Sequence, residues 1–433
     1  MIKEEQQERN ITYHTVTLGP LTREGDAQTE ITEQDAKGEL HTLTLRVPAG
    51  LPGEEATIAV EAPPTPRPGR HRRRWKPRPR RVWITEIHQP SPLRVEAPCP
   101  VFGICGGCQL QHMRYEAQLL WKRAVVQQLL HDIGGFSDPP LLDTVPCDIP
   151  WHYRNHMRFS VNRGGQPGLT ARGSHRVLPL THCPIAQEKI NLALNVLSQH
   201  TNAQPQVLIR CSAVSNQMMV QPTPSPEVAE RLGDAGLDLH SETMEEVLSG
   251  ATFRIRPSSF FQTNTAQAAK MAQMVLRGLL QNEQQEEAAT TIVDAYCGVG
   301  TFARLLAGYV SKVIAIEESA SAIKDAQWNL REVDNVEILK GKVEDMLPNL
   351  AARVDGLVID PPRAGCQQVV LDALVQNPVT RIVYVSCDPS TLARDLNILC
   401  HIHPIYRLRS VQPLDMFPQT AHIESVAVLE RAS

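Results

Sequence analysis

The run Arg381-Ile-Val-Tyr-Val-Ser386-Cys387-Asp388-Pro389 puts a thiol at the end of an apolar strand, just before a proline-punctuated turn into a helix. In an open α/β sheet, ligands sit beyond the carboxyl ends of the strands, so Cys387 stands where a nucleophile would stand. An isolated cysteine closing a strand is more often a small packing residue. The residues upstream of it change that reading.

Asp294-Ala-Tyr296-Cys-Gly298-Val-Gly300-Thr301 closes one expected strand and opens a helix. Glycines there let the backbone approach a ligand closely. An acid, Glu317, ends the next strand about twenty residues on, where it can accept hydrogen bonds from ribose hydroxyls. Tyr296 is placed to pack against a bound cofactor. The third glycine of a dinucleotide fingerprint is replaced by Ala303, which points to a cofactor without pyrophosphate. S-adenosylmethionine fits, because its sulfonium is cationic and Asp294, Glu317 and Asp360 supply an acidic rim. Asp360-Pro-Pro-Arg363 ends the fourth strand, with arginine where amino-group methyltransferases carry an aromatic residue, so that chemistry is disfavoured.

A second constellation is Cys99-x5-Cys105-Gly-Gly-Cys108, three thiols within ten residues, with glycines where a chain must turn around a bound centre. Cys183, followed by Pro184, is the expected fourth ligand, since proline after a ligand cysteine recurs in iron–sulfur sites. The spacings favour a 4Fe-4S cluster, with a four-thiol zinc site as the alternative. Cys147, Cys211, Cys366 and Cys400 are scattered and read as packing residues.

The elements that must position these groups divide the 433 residues into three expected domains. Residues 8–98 read as a small β-barrel of the OB type, with strand-like runs at 43–47, 56–60 and 82–85. Between the last two runs, residues 67–81 carry nine Arg or Lys and no acid, interleaved with prolines. That density of like charge favours a polyanion, and a phosphate backbone is the natural one. Residues 99–285 form a mixed central domain holding the cysteines, with a helix at 115–130, its apolar positions Leu119, Leu120, Val125 and Leu129 at helical spacing, and strand-like runs at 157–161, 207–210 and 218–221. Residues 286–433 alternate strand and helix cleanly, which predicts an α/β, doubly wound sheet with a late hairpin.

Composition sets the outer limits. Hydrophobic content of 42% and charged content of 21% are ordinary for a globular protein, and net charge is −4. No apolar run approaches the length of a membrane helix, and the polar N-terminus is no secretory signal. The expected setting is therefore the cytoplasm, no membrane partner is expected, and clustered cysteines there argue for metal or catalysis rather than disulfides.

Taken together these motifs resemble the RNA uracil-5-methyltransferase family over nearly the whole chain. The resemblance is carried by Pro52-Gly53-Glu54 with Ser91-Pro92, by the four cysteines, and by Phe260-Phe261-Gln262-Thr-Asn264. It continues through the Asp294–Gly300 turn, Asp360-Pro-Pro-Arg-Ala-Gly365, Ser386-Cys387-Asp388-Pro389 and Pro418-Gln-Thr-Ala-His422-Ile-Glu424. It implies a class I methyltransferase sheet, an N-terminal TRAM-type barrel, RNA as partner and a monomeric enzyme. It implies further that Gln262, Tyr296, Glu317 and Asp360 line the S-adenosylmethionine site. Cys387 is then the nucleophile and Glu424 the general base, with Asp388 and His422 the competing bases. Glu424 is expected in a loop before the last strand. The subgroup with both barrel and cluster is similar to the ribosomal-RNA enzymes, 23S in particular, more than to the shorter tRNA enzymes.

The chemistry accounts for a cysteine. Carbon 5 of uracil is a poor nucleophile, and addition of a thiolate to carbon 6 turns it into the carbon of an enolate. A thiolate forms at accessible pH and leaves again readily, which serine does not. The target base must be unpaired or flipped out to be reached, and Phe260 is a platform for it. The alternatives are the same reaction on tRNA, or an RNA-binding protein without catalysis.

Overall fold

The computed structural model describes residues 11–34, 38–62, 80–240, 242–280, 290–350 and 354–432. The chain forms two compact units, residues 1–118 with 419–421, and residues 119–418 with 422–433. Of the basic segment 67–81, only Arg80 and Arg81 fall within the described residues.

Among the described residues, the first unit carries five antiparallel strands. Ile11–Thr17, Glu55–Glu61 and Arg81–Gln89 form one sheet, and Ala27–Gln34 pairs with Leu40–Val47 in a second. Alternation along the strands sends Ala27, Ile31, Leu45, Val47, Ala56, Ile58 and Val60 into one shared core. Three of these strands contain the runs expected at 43–47, 56–60 and 82–85.

The two sequence motifs at the end of this unit meet through a buried ion pair. Glu54 is fully buried and accepts from Arg94 Nε (2.5 Å) and Nη2 (2.7 Å), and from the amides of Leu51 (2.8 Å) and Ser91 (3.1 Å). Burial pushes its pKa up, but the Arg94 guanidinium and the two amides outweigh that and hold it below the usual value. Removing one partner of such a pair typically costs about 3–5 kcal/mol, so the turn at 52–54 and the exit at 91–94 are fixed together.

The second unit contains a six-stranded sheet and a seven-stranded one. In the six-stranded sheet His156–Val161, Gln206–Cys211 and Gln217–Gln221 are antiparallel neighbours, and these contain the three runs expected in the central region. The expected helix runs from Tyr115–Asp132, but Leu120 faces outward at 69% exposure while Val125, Val126 and Leu130 are buried.

The seven-stranded sheet positions the chemistry. Its strands are β1 (Thr291–Ala295), β2 (Lys312–Glu317), β3 (Val336–Lys340), β4 (Gly356–Ile359), β5 (Arg381–Ser386), β6 (Tyr406–Leu414) and β7 (Glu424–Arg431). The order is β3-β2-β1-β4-β5-β7-β6, with the first five parallel and β7 antiparallel to both neighbours. Val293, Ile314, Leu357 and Ile382 pack on one face with Val370, Leu374 and Leu396. Ile292, Val313, Val358 and Val383 pack on the other with Met271, Val275 and Phe302. Both faces are covered, which is why these strands read as continuous apolar runs. This is the expected doubly wound α/β sheet.

Candidate functional site

Three loops leave the carboxyl ends of β1, β4 and β5, where such sheets hold their ligands. The turn after β1 is tightly wound, with Tyr296, Gly298 and Gly300 all at positive φ (61°, 57° and 84°). Glycine takes this conformation without steric cost, and a side chain at Gly298 would point into open space. The Gly298 amide donates to Glu317 Oε2 (2.9 Å), and the Ser319 amide donates to Glu317 Oε1 (2.7 Å). Glu317 thus ties the glycine turn to the end of β2. Tyr296 packs against the core, and its hydroxyl donates to Glu344 Oε1 (2.9 Å), a partner that no motif marked.

Asp294 is fully buried on β1. Its Oδ2 accepts from the Ala303 amide (2.8 Å), while Oδ1 has no hydrogen-bond partner among the described residues. Burial raises its pKa to about 8, with the Ala303 amide opposing and the charges of Asp360 and Glu317 adding. Burial also raises Asp360, at the end of β4, to about 7. An excess of acid and an unmatched buried carboxylate oxygen suit a cationic ligand, so these residues fit the sulfonium cofactor expected from the sequence. Gln262 is half-buried between the strand Ala251–Ile255 and the helix Thr265–Leu280. Its neighbour Phe261 packs in the same core as Val299 of the glycine turn and Val385 of β5. Phe260, by contrast, is 67% exposed, so it is not the core residue its type suggests.

Cys387 follows β5 directly and is partly exposed. Asp388 caps the helix Pro389–Asn397, its Oδ1 accepting from the amides of Ser390 (2.9 Å) and Thr391 (3.4 Å). One oxygen of that carboxylate is thereby engaged in the cap. His422 is exposed, with its ring edge-on to Phe417 at 5.8 Å. Glu424 is not in a loop: it is the first residue of β7, paired with Leu414, and is 3% exposed.

The electrostatics join these groups. Burial raises the Cys387 pKa to about 11, and the charges of Glu424, Asp360 and Asp388 raise it against the opposing charge of Arg363. At neutral pH the Cys387 side chain is therefore held as a thiol. Burial and the charge of Asp360 lift Glu424 well above the usual carboxylate value, again opposed by Arg363. Arg363 was legible only as a substitution in a motif; the fold makes it the cation acting on both groups.

The metal-ligand expectation divides between the units. In the first, Cys99, Cys105 and Cys108 lie on one short loop, and the Gly107 amide donates to Cys105 Sγ (3.4 Å). Burial raises Cys105, opposed by the Gly107 amide, and the charge of Cys99 adds to the rise, so these two thiols face each other's field. In the second, Cys183 is buried, its amide donating to Asn191 Oδ1 (2.9 Å). Among the described residues no group of three or more His, Cys, Asp or Glu is gathered so as to hold a metal ion. The all-thiol donor set and the turning loop fit a cluster in kind.

Residues 228–432 match the model of a family described as tRNA (uracil-5-)-methyltransferase. Over the longer chain, an uncharacterized RNA methyltransferase of Gloeobacter violaceus is 36% identical over 400 residues, covering 81% of this chain and 86% of that one. One from Listeria innocua is 34% identical over 405 residues, covering 80% and 87%. A similar solved structure is a Pyrococcus abyssi tRNA (uracil-54, C5)-methyltransferase in complex with S-adenosyl-L-homocysteine. It has a TM-score of 0.68 and 24% identity, with 96% of this chain and 99% of that chain covered.

Proposed function

Because the chain belongs to the RNA uracil-5-methyltransferase family, whose members are S-adenosylmethionine-dependent enzymes, we propose that it methylates carbon 5 of a uridine in ribosomal RNA, 23S in particular, through a covalent adduct on Cys387. The observation that carries the mechanism is the convergence of Cys387, Asp360 and Arg363, beyond the ends of β4 and β5, with Glu424 at the start of the antiparallel β7.

Gln262, Tyr296, Glu317 and Asp360 hold the cofactor, which supplies an electrophilic methyl group. The rest is done by the chain's own side chains. Phe260, whose ring is exposed, stacks on the extruded uracil. The Cys387 thiol releases its proton to solvent, the thiolate adds to carbon 6, and the electron pair of the carbon 5–carbon 6 double bond moves into an enolate, making carbon 5 nucleophilic. Once carbon 5 carries its methyl group, Glu424 takes the remaining proton, and Cys387 leaves as the ring recovers its double bond. A buried carboxylate with a raised pKa is a stronger base than an exposed one, which suits this step.

The substrate assignment rests on the first unit. Its five described strands are read as a TRAM-type barrel, and together with the cysteine loop they support the subgroup similar to ribosomal-RNA enzymes. Residues 8–98, 99–285 and 286–433 are then barrel, central RNA-binding domain and methyltransferase domain of a cytoplasmic monomer. A second reading, tRNA, is favoured by the family model's own description and by the whole-chain fold shared with a tRNA enzyme. Transfer of labelled methyl from S-adenosylmethionine to unmodified ribosomal RNA and to tRNA, with nucleosides identified, separates them. 5-Methyluridine from ribosomal RNA is the expected product; label in tRNA alone moves the enzyme to the second reading.

Cys99, Cys105, Cys108 and Cys183 are proposed to hold a structural 4Fe-4S cluster, the all-thiol donor set being the support. Anaerobically purified protein is expected to contain about four irons and four acid-labile sulfides per chain. Cys105→Ser is expected to lose most of both. One zinc per chain without sulfide would replace the cluster by a four-thiol zinc site.

A further inference from the structure

The helix Pro389–Asn397, which follows Cys387, grips the backbone of residues 363–366. Asp395 has no exposed surface, and its Oδ2 accepts from the Cys366 amide (2.9 Å) and the Tyr384 hydroxyl (2.7 Å). Its Oδ1 accepts from Arg394 Nε (2.8 Å). Arg394 Nη2 donates onward to the carbonyls of Ala364 (3.1 Å) and Cys366 (3.2 Å), and Thr391 Oγ1 donates to the carbonyl of Arg363 (3.3 Å). Gly365 has φ +76°, and a Cβ there would lie 2.6 Å from Arg394 Nη2 and 2.8 Å from Asp395 Oδ2. Only glycine permits so close a grip.

The sheet cannot supply this constraint. The ladder between β4 and β5 ends at Ile359 and Tyr384, before either Asp360 or Cys387. Beyond it, the placement of residues 363–366 against the nucleophile depends on the clasp. Arg363 is the residue whose placement matters, since its charge acts on both Cys387 and Glu424.

We propose that Asp395 and Arg394 are positioning residues for methyl transfer: they clasp residues 363–366 so that Arg363 stands beside the Cys387 sulfur. The proposal rests on Cys387 being the nucleophile.

Asp395→Asn and Arg394→Lys in the full chain test it. Lysine keeps the charge of a half-exposed arginine and loses the fork that reaches two carbonyls, so the second variant decides if the first does not fold. Two readouts are needed: turnover on unmodified ribosomal RNA and tRNA transcripts, and the pH profile of Cys387 alkylation by iodoacetamide. The expected kcat falls roughly 10–100-fold, with the KM for S-adenosylmethionine within about twofold. The alkylation midpoint rises by roughly half a pH unit or more, because a withdrawn Arg363 no longer favours the thiolate. An unmoved midpoint overturns the proposal, whether kcat falls or not. Cys387→Ser is assayed alongside, and methyl transfer surviving that change refutes the nucleophile itself, a separate failure.

Discussion

Cys387→Ser is expected to lower methyl transfer by roughly 10⁴–10⁶-fold, the range found when an essential nucleophile is removed from an otherwise intact site. Serine fills nearly the same volume at a partly exposed position, so stability should barely change and cofactor binding should persist. The loss arises because an alcohol does not ionise in reach of neutral pH and does not add to carbon 6. The wild-type thiol is itself held high, near 11, by burial and by the surrounding acids. In RNA-free enzyme at pH 8, roughly one molecule in a thousand then carries the thiolate. Slow alkylation of resting Cys387 that accelerates above pH 10 is the corresponding signature. Fast alkylation at pH 7 would show that the resting site is not this electronegative.

Glu424→Gln is expected to cost about 10²–10⁴-fold in turnover, the usual contribution of a positioned base. Its distinguishing effect is on which species accumulates. Addition of Cys387 and methylation of carbon 5 do not need this carboxylate, but removal of the carbon 5 proton does. The variant should therefore pile up a methylated RNA–enzyme adduct that survives denaturation. Because Glu424 opens β7 and is 3% exposed, the amide is accommodated without a cavity. Loss of a buried acid should also lower the Cys387 pKa, since the charge of Glu424 is among its raising causes. Lower turnover without trapped adduct would place the base elsewhere, with His422 next in line.

The methyltransferase sheet was legible because buried parallel strands are uninterrupted apolar runs, as in 356–359 and 382–385, each followed by a chemically marked loop. Cys387, Asp360 and Glu317 were findable for that reason: each closes such a run. Glu424 was found by motif, yet its setting was misread. Glu424-Ser425 is a polar pair at a strand start, and local polarity suggests a loop where the ladder with β6 decides otherwise. Arg363, Arg394 and Asp395 were not legible as a unit, because their meaning lies in hydrogen bonds across about 30 residues of sequence. The six-stranded central sheet was only half visible, since strands as short as Val177–Pro179 leave no periodicity to read. Leu120 shows the converse error, an apolar residue at helical spacing that faces outward.

The most direct measurement uses RNA in which uridine is replaced by 5-fluorouridine. Fluorine at carbon 5 cannot be removed as a proton, so a reaction through a carbon 6 adduct stops with the base attached to the enzyme. Incubation with S-adenosylmethionine, digestion and peptide mass analysis are expected to show methylated 5-fluorouracil on Cys387. An RNA that is left unattached, or attached at any residue other than Cys387, would contradict the account.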